Sequence, residues 1–160
     1  MDSPDFRLNT EQGDVTAFIK QFGYEMQALL HQNSLNLETC IDDEPFITKV
    51  DFDRLARVME NLFANVIKYA EPHTDVRLES KVGSDSVSIS LSNTIRKGTE
   101  VSTGDMFDRF YRDDQARTDT DSAGLGLAIA KSIVELHNGD ISVKSDSAGT
   151  EFKVVFNTNE

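Results

Sequence analysis

The residues best suited to chemistry form a polar row, Asn61, Asn65 and Lys68, with Tyr69 on its flank. At about 100° per residue, the three lie within roughly 60° of one another on a helix. Asparagine is a weak helix former, so two of them one turn apart indicate a use other than helix stability. An amide oxygen suits Mg²⁺, which takes few protein ligands beside phosphate oxygens. The alternative is an ordinary solvated helix face opposite the core.

A glycine pair, Gly124 and Gly126, lies in the segment 122–127, which we expect directly before a helix. Glycines let backbone N–H groups approach a ligand closely, and the helix N-terminus behind them favours an anion. The segment lacks the Gly-Lys-Ser/Thr ending of a Walker loop and the third glycine of a dinucleotide-binding motif. It predicts a phosphate cradle, unless the glycines only ease a tight turn.

Residues 94–123 show no sustained hydrophobic period, and unstructured segments longer than about 15 residues in compact domains are usually functional. Their main cations are Arg109, Arg112 and Arg117, beside an aromatic group at 107–111. The aromatic residues are expected to hold the segment against the core. The arginines are suited to closing on a polyphosphate through bidentate contacts.

Composition limits the function classes. The 160 residues carry a formal charge of −12, and such a surface repels a nucleic acid backbone. A single cysteine, Cys40, excludes an internal disulfide, and we expect it to be a buried strand residue. The chain shows no span of about 20 apolar residues and no signal peptide pattern, so we expect a cytoplasmic protein.

Helices and strands must position these residues. Hydrophobic periodicity predicts helices over 14–31, after Asp51 to residue 70, and over 127–136, where Asn138-Gly139 forms a left-handed cap. Alternation predicts strands at 35–41, 46–50, 76–82, 87–91, 141–143 and 152–156, with hairpins through 83–85 and 147–149. The expected fold class is α/β, a two-layer sandwich in which a mixed, mostly antiparallel sheet is covered by three helices.

Three segments, taken together, resemble a known family. They are Asn61-x-x-x-Asn65-x-x-Lys68-Tyr69, then Phe107-Asp108-Arg109-Phe110, then Gly124-Leu125-Gly126. They are similar to the N box, F box and second glycine box of the catalytic ATP-binding domain of sensor histidine kinases, the GHKL or Bergerat fold. Residues 110–117 and 123–131 resemble the VanS type of sensor, which governs vancomycin resistance.

The resemblance implies ATP and Mg²⁺ as cofactors and a role for each matching residue. Asn65 would hold Mg²⁺, Asn61 and Lys68 would face the phosphates, and Tyr69 would border the nucleotide. Arg109 and Arg112 would position the γ-phosphate from an ATP lid at about 94–123. Gly124, Leu125, Gly126 and Leu127 would line the phosphate side. Residues 14–157 would form the catalytic domain, and residues 1–13 would be the remnant of a linker.

Two positions depart from the patterns of the fold. Asn93 stands where the first glycine box has an aspartate that recognises the adenine amine, and its side-chain carbonyl can still accept that hydrogen bond. Asn61 stands where members that hydrolyse ATP have a glutamate that activates water. Since an amide is no general base, and Glu60 points about 100° away, a kinase is favoured over a hydrolase.

None of His31, His73 and His137 has the sequence context of the family's phosphoacceptor histidine; they are expected at two helix ends and in a loop. The resemblance therefore implies a catalytic domain cut from a larger membrane sensor. Its partners would be its own dimerisation and histidine-phosphotransfer domain and a response regulator, with no nucleic acid and with membrane contact only through the parent protein. Two alternatives stay open: a degenerate interaction scaffold without nucleotide binding, and a serine kinase of the anti-sigma type.

Overall fold

The computed structural model describes residues 7–94, 122–146 and 149–158, with residues 122–125 described by their backbone alone. In chain order the elements are β1 (Glu11–Asp14), α1 (Val15–Gln32), β2 (Asn36–Ile41), β3 (Ile47–Val50), α2 (Phe52–Tyr69), β4 (Asp75–Val82), β5 (Ser86–Asn93), α3 (Ser122–Leu136), β6 (Asp140–Asp146) and β7 (Gly149–Asn157).

The main sheet has five strands in the order β2-β4-β5-β7-β6. The pair β2-β4 is parallel and the other pairs are antiparallel. Both predicted hairpins, β4-β5 and β6-β7, are present. The sheet is therefore mixed and mostly antiparallel, with three described helices, which confirms the predicted fold class.

One face of the sheet forms the core. Along β5 the buried residues alternate with half-buried serines, and the inward set Val87, Ile89 and Leu91 packs in the same cluster as buried residues of all three helices. Strand alternation places successive side chains on opposite faces, so a single buried face needs a helical layer on one side only. This is the two-layer arrangement.

Aspartate caps set the first residues of α1 and α2. The Asp14 carboxylate accepts a hydrogen bond from the backbone N–H of Thr16 at 3.0 Å, and that of Asp51 accepts one from the N–H of Arg54 at 3.1 Å. Each cap satisfies an N–H that the helix cannot bond internally. Both helices begin and end within one residue of their predicted bounds.

Cys40 is exposed, so the expectation of a buried strand residue is wrong. It lies on β2, which is an edge strand, and there it shares the parity of the exposed Glu38 rather than that of the buried Leu37. A period of two along the strand turns it away from the helices.

Strand β1 was not predicted. It pairs antiparallel with β3 in a separate two-stranded sheet, with Glu11 opposite Val50 and Gly13 opposite Thr48. Residues 11–13, which the sequence placed in a linker, therefore have partners in the fold. The predicted limits of the domain stay a prediction.

Candidate nucleotide site

Helix α2 carries the predicted polar row, and the structure buries part of it. Asn65 is only 4% exposed and Asn61 is half-buried, whereas Lys68 is exposed. The ammonium of Lys68 lies 5.6 Å from the centroid of the Tyr69 ring, so a cation and an aromatic ring adjoin at the end of the helix. The expected position of the row, opposite the core, is wrong for the two asparagines because α3 packs against that side of α2.

Two asparagine side chains of the row have buried polar atoms without a described partner. The amide nitrogens of Asn61 and of Asn65 are both buried, and no residue in the described ranges forms a hydrogen bond with either. Leaving a buried polar group unpaired costs about 1–3 kcal/mol. Since the oxygen and nitrogen ends of an amide can be exchanged by rotation, what is orphaned is one end of each amide. Neither a solvated helix face nor a satisfied core has this feature, and a polar ligand would remove the cost.

Helix α3 begins earlier than predicted. It starts at Ser122, so Gly124 and Gly126 lie inside its first turns rather than before them. The glycines are tolerated there because tertiary packing overrides helix propensity. The first four N–H groups of a helix have no partner within it, which leaves those of residues 122–125 at the positive end of the helix dipole.

Gly126 brings α3 into contact with the row on α2. A Cβ atom placed on it would lie 3.2 Å from both Cγ and Oδ1 of Asn61. The missing side chain is therefore what lets the start of α3 lie directly against the Asn61 amide. Leu127 is fully buried in the core, so only its backbone remains available to a ligand.

Asn93 ends β5 and is buried, with 7% of its surface exposed. Its Nδ2 donates a hydrogen bond to the carbonyl oxygen of Thr94 at 3.1 Å, so Oδ1 is the end of the amide that Thr94 does not hold. The Thr94 oxygen also accepts from the backbone N–H of Glu71 at 2.8 Å, which ties the end of β5 to the residues that follow α2. Asn93 is thus placed near the last turn of the helix that carries the polar row.

Other predicted site residues cannot be placed. Arg109, Arg112 and the rest of the expected lid at 95–121 lie outside the described residues, and Gly124 and Leu125 are described by backbone alone. The structure therefore brings together Asn61, Asn65 and the start of α3, and positions Asn93 beside the end of α2.

The donor set fits Mg²⁺ held jointly with phosphate. Within the described ranges, no three His, Cys, Asp or Glu side chains group as a metal site. An amide oxygen is a ligand that Mg²⁺ accepts beside phosphate oxygens and water. The orphaned amide of Asn65 is the described group that suits this role.

A family model described as "Histidine kinase-, DNA gyrase B-, and HSP90-like ATPase" matches residues 50–160. The chain belongs to this family. Its match includes α2, the end of β5 and α3, the elements that carry the site.

Curated relatives within this ATPase family are sensor proteins. The chain is 38% identical over 148 residues to the sensor protein VanSC of Enterococcus gallinarum, covering 92% of this chain and 40% of that protein. It is 41% identical over 107 residues to the sensor protein VanS of Enterococcus faecium, covering 65% and 27%. The chain thus spans at most about two fifths of the length of these relatives.

Solved structures of histidine kinases share the fold of this chain. The catalytic domain of the histidine kinase ThkA in a nucleotide-free form superposes with a TM-score of 0.77 at 18% identity, covering 96% of this chain and all of that chain. The Acinetobacter baumannii histidine kinase AdeS gives a TM-score of 0.71 at 22% identity, covering 96% and 70%. The resemblance to the catalytic domain of sensor histidine kinases, and to the VanS type, is confirmed.

No helix among the described residues is both long and apolar enough to cross a lipid bilayer.

Proposed function

We propose that this domain binds Mg·ATP and donates the γ-phosphate to a histidine on a separate dimerisation domain, from which it passes to an aspartate of a response regulator. The observation that supports this most is the pair of buried amides of Asn61 and Asn65, which have no partner among the described residues, with Asn61 lying against the start of α3. Amide oxygens suit Mg²⁺, and the positive N-terminal end of a helix suits the phosphate groups that the metal would bind.

Each candidate site residue has a role in this proposal. Asn65 holds the cation, which when bound neutralises charge on the phosphates. Asn61 and Lys68 contact phosphate oxygens. The N–H groups at the start of α3, which have no partner within the helix, add neutral donors, and Tyr69 borders the nucleotide. Asn93 Oδ1 accepts from the adenine amine. Arg109 and Arg112 complete the cationic clamp from the lid.

The proposed reaction is transfer of the γ-phosphoryl group to histidine rather than hydrolysis of ATP. The acceptor histidine nitrogen attacks the γ-phosphorus, the bond from that phosphorus to the β-γ bridging oxygen breaks, and ADP leaves. Such a reaction needs positioning and positive charge more than covalent chemistry from the protein. Asn61 is an amide and cannot take a proton from water, and Glu60 is exposed on another side of α2.

The partners belong to a longer parent protein. The relatives VanSC and VanS are sensor proteins of which this chain covers 40% and 27%, so the acceptor histidine and any membrane anchor are expected in the segments outside the match. Placement on the cytoplasmic side of a membrane follows from this proposal.

The test is calorimetric titration of the domain with ATP and ADP, with and without Mg²⁺. Wild type should bind in the micromolar to sub-millimolar range with Mg²⁺. Asn65→Ala should weaken binding by more than about tenfold, since a hydrogen bond or ligand contact to a charged group contributes about 1.5–3 kcal/mol. Asn33→Ala, which removes an exposed amide at the end of α1, is the matched control and should bind as wild type does.

Equal affinity in wild type and Asn65→Ala would contradict the assignment. Absence of binding at millimolar nucleotide would favour the interaction scaffold instead. With the acceptor domain restored, the phosphorylated product should be lost in acid, as phosphohistidine is, whereas an acid-stable product would indicate the serine kinase.

A further inference from the structure

A second link joins α2 and α3 at the end of the pair away from the asparagine row. The backbone N–H of Asp51, just before α2, donates to Nε2 of His137, just after α3, at 3.1 Å. The other ring nitrogen, Nδ1, lies 2.9 Å from the carbonyl oxygen of Ile133. Because Nε2 accepts from Asp51, Nδ1 is the ring nitrogen that donates to Ile133, and both nitrogens are engaged.

This link is buried and well supported. His137 is 8% exposed and Asp51 is 4% exposed. The imidazole meets the ring of Phe156 on β7 edge-on, with centroids 5.5 Å apart. The Asp51 carboxylate accepts from the N–H of Asn9 at 2.8 Å in addition to capping α2. Contacts from β7 and from the residues before β1 therefore hold His137 and Asp51 in place.

The two helices are antiparallel, and they have two contacts of known register. Asp51 adjoins His137, while Asn61 adjoins Gly126. At 1.5 Å per residue, the stretch from Asp51 to Asn61 is about 15 Å long and the stretch from Gly126 to His137 is about 16.5 Å long. Because the two lengths are similar, the contact at one end is consistent with the axial register at the other.

We propose that His137 is a positioning residue for the candidate nucleotide site: its link to Asp51 sets the register of α3 on α2 and so holds Gly126 against the Asn61 amide. Loss of the link lets α3 slide or tilt, which moves its free N–H groups relative to Asn61 and Asn65. The proposal rests on the proposed function only for its effect on nucleotide binding.

Histidine suits this position because it supplies a donor near its Cβ and an acceptor farther out. Asparagine keeps a donor close to the place of Nδ1 but has no atom at the place of Nε2. Glutamine has an amide oxygen that reaches the place of Nε2. The two variants therefore separate the local bond to Ile133 from the link to Asp51.

The experiment compares wild type with His137→Asn and His137→Gln by three measurements. The side-chain NH₂ resonances of Asn61 and Asn65, in the nucleotide-free domain, report the register directly. Calorimetry gives the ATP dissociation constant, and thermal unfolding gives stability. We expect His137→Asn to shift both pairs of resonances and to weaken ATP binding about tenfold, an effect typical of couplings through packed elements. His137→Gln should restore both.

The proposal is overturned if the substitution lowers the unfolding temperature but leaves the Asn61 and Asn65 resonances unchanged, since His137 would then be structural only. If His137→Asn does not fold, His137→Phe keeps ring packing on Phe156 without the acceptor and gives the same comparison. A wild type that binds no ATP would contradict the proposed function, while the resonances would still decide the role of His137.

Discussion

At the residue scale, the proposed contact to the base is the side-chain amide of Asn93. Its Nδ2 donates a hydrogen bond to the carbonyl oxygen of Thr94, and Oδ1 is the atom that we propose accepts from the adenine amine. Asn93→Ala should weaken ATP binding about tenfold, the upper range for one neutral hydrogen bond. Inosine triphosphate lacks the amine, so its affinity should be the same for both proteins. Calorimetry with the two nucleotides checks this, and an unchanged ratio of the two affinities would mean that Asn93 does not contact the base.

Single residues also show where sequence reasoning ends. The spacing of Asn61 and Asn65 predicted that they share one helix face, and they do. That their amides are buried could not be predicted, because the cover comes from α3, some 60 residues later in the chain. The same limit applies to Cys40, whose exposure depends on which face of the edge strand β2 the helices cover. The roles given to the site residues remain predictions.

At the scale of elements, the approach of α3 to α2 should determine nucleotide affinity through Gly126. Gly126→Ala places a methyl group 3.2 Å from Cγ and Oδ1 of Asn61, which forces the amide or the helix to move. Overpacking of this kind costs about 1–3 kcal/mol, partly offset by the better helix propensity of alanine. We expect a small loss of thermal stability and an ATP affinity lowered about tenfold.

The control for this prediction is Gly23→Ala. Gly23 is a buried helical glycine of α1, where a Cβ would lie 3.1 Å from a methyl group of Leu78, away from the site. It should change stability alone. If both variants bind ATP as wild type does, the contact between Gly126 and Asn61 has no part in binding.

Elements with strong local signals were predicted well. The helices α1 and α2 have aspartate caps and long apolar faces, and the two hairpins have alternation on both sides of a turn sequence. Strand β1 has neither signal: its four residues, Glu11–Asp14, are largely polar, and only pairing with β3 makes them a strand. The start of α3 was missed because its glycines indicate a loop when read alone.

The hydrogen bonds of Asp42, which connect the end of β2 to the end of β4, should make the stability of the domain depend on pH in the acidic range. The Asp42 carboxylate accepts hydrogen bonds from the backbone N–H groups of Val82, at 3.0 Å, and of Glu44, at 3.4 Å. These bonds lower the pKa of Asp42, with the bond from Val82 the larger cause. A carboxyl whose pKa is lowered on folding stabilises the fold above its ordinary value, about 3.9, and loses that contribution as the pH falls through the folded pKa.

Asp42→Asn should therefore unfold at lower denaturant concentration than wild type at pH 7, and the difference should shrink as the pH falls below about 4. Urea titrations at several pH values measure it. The control is Asp43→Asn, which removes the exposed neighbouring carboxylate and its ion pair with Lys20 but leaves the two backbone bonds to Asp42 in place. A difference for Asp42→Asn that stays constant with pH would exclude the carboxylate as its source.

At the scale of the whole molecule, residues 9–13 are bonded to the rest of the fold, although their sequence predicts a linker. Residues 11–13 pair with β3, and the N–H of Asn9 donates to the Asp51 carboxylate that caps α2. Because Asp51 also donates its own N–H to His137, this short N-terminal segment is connected to the end of α3 as well. These contacts favour a folded unit that begins before residue 14, and the limits of the domain stay a prediction until they are measured.

Two truncations test this, one that removes residues 1–6 and one that removes residues 1–13. The difference between them isolates the pairing of β1 and the bond to Asp51. The longer truncation should lower the free energy of unfolding by at least about 1.5 kcal/mol relative to the shorter, the contribution of one hydrogen bond to a charged group. Urea denaturation monitored by circular dichroism gives both values. If the two truncated proteins are equally stable, residues 7–13 contribute no stability and the boundary at residue 14 is correct.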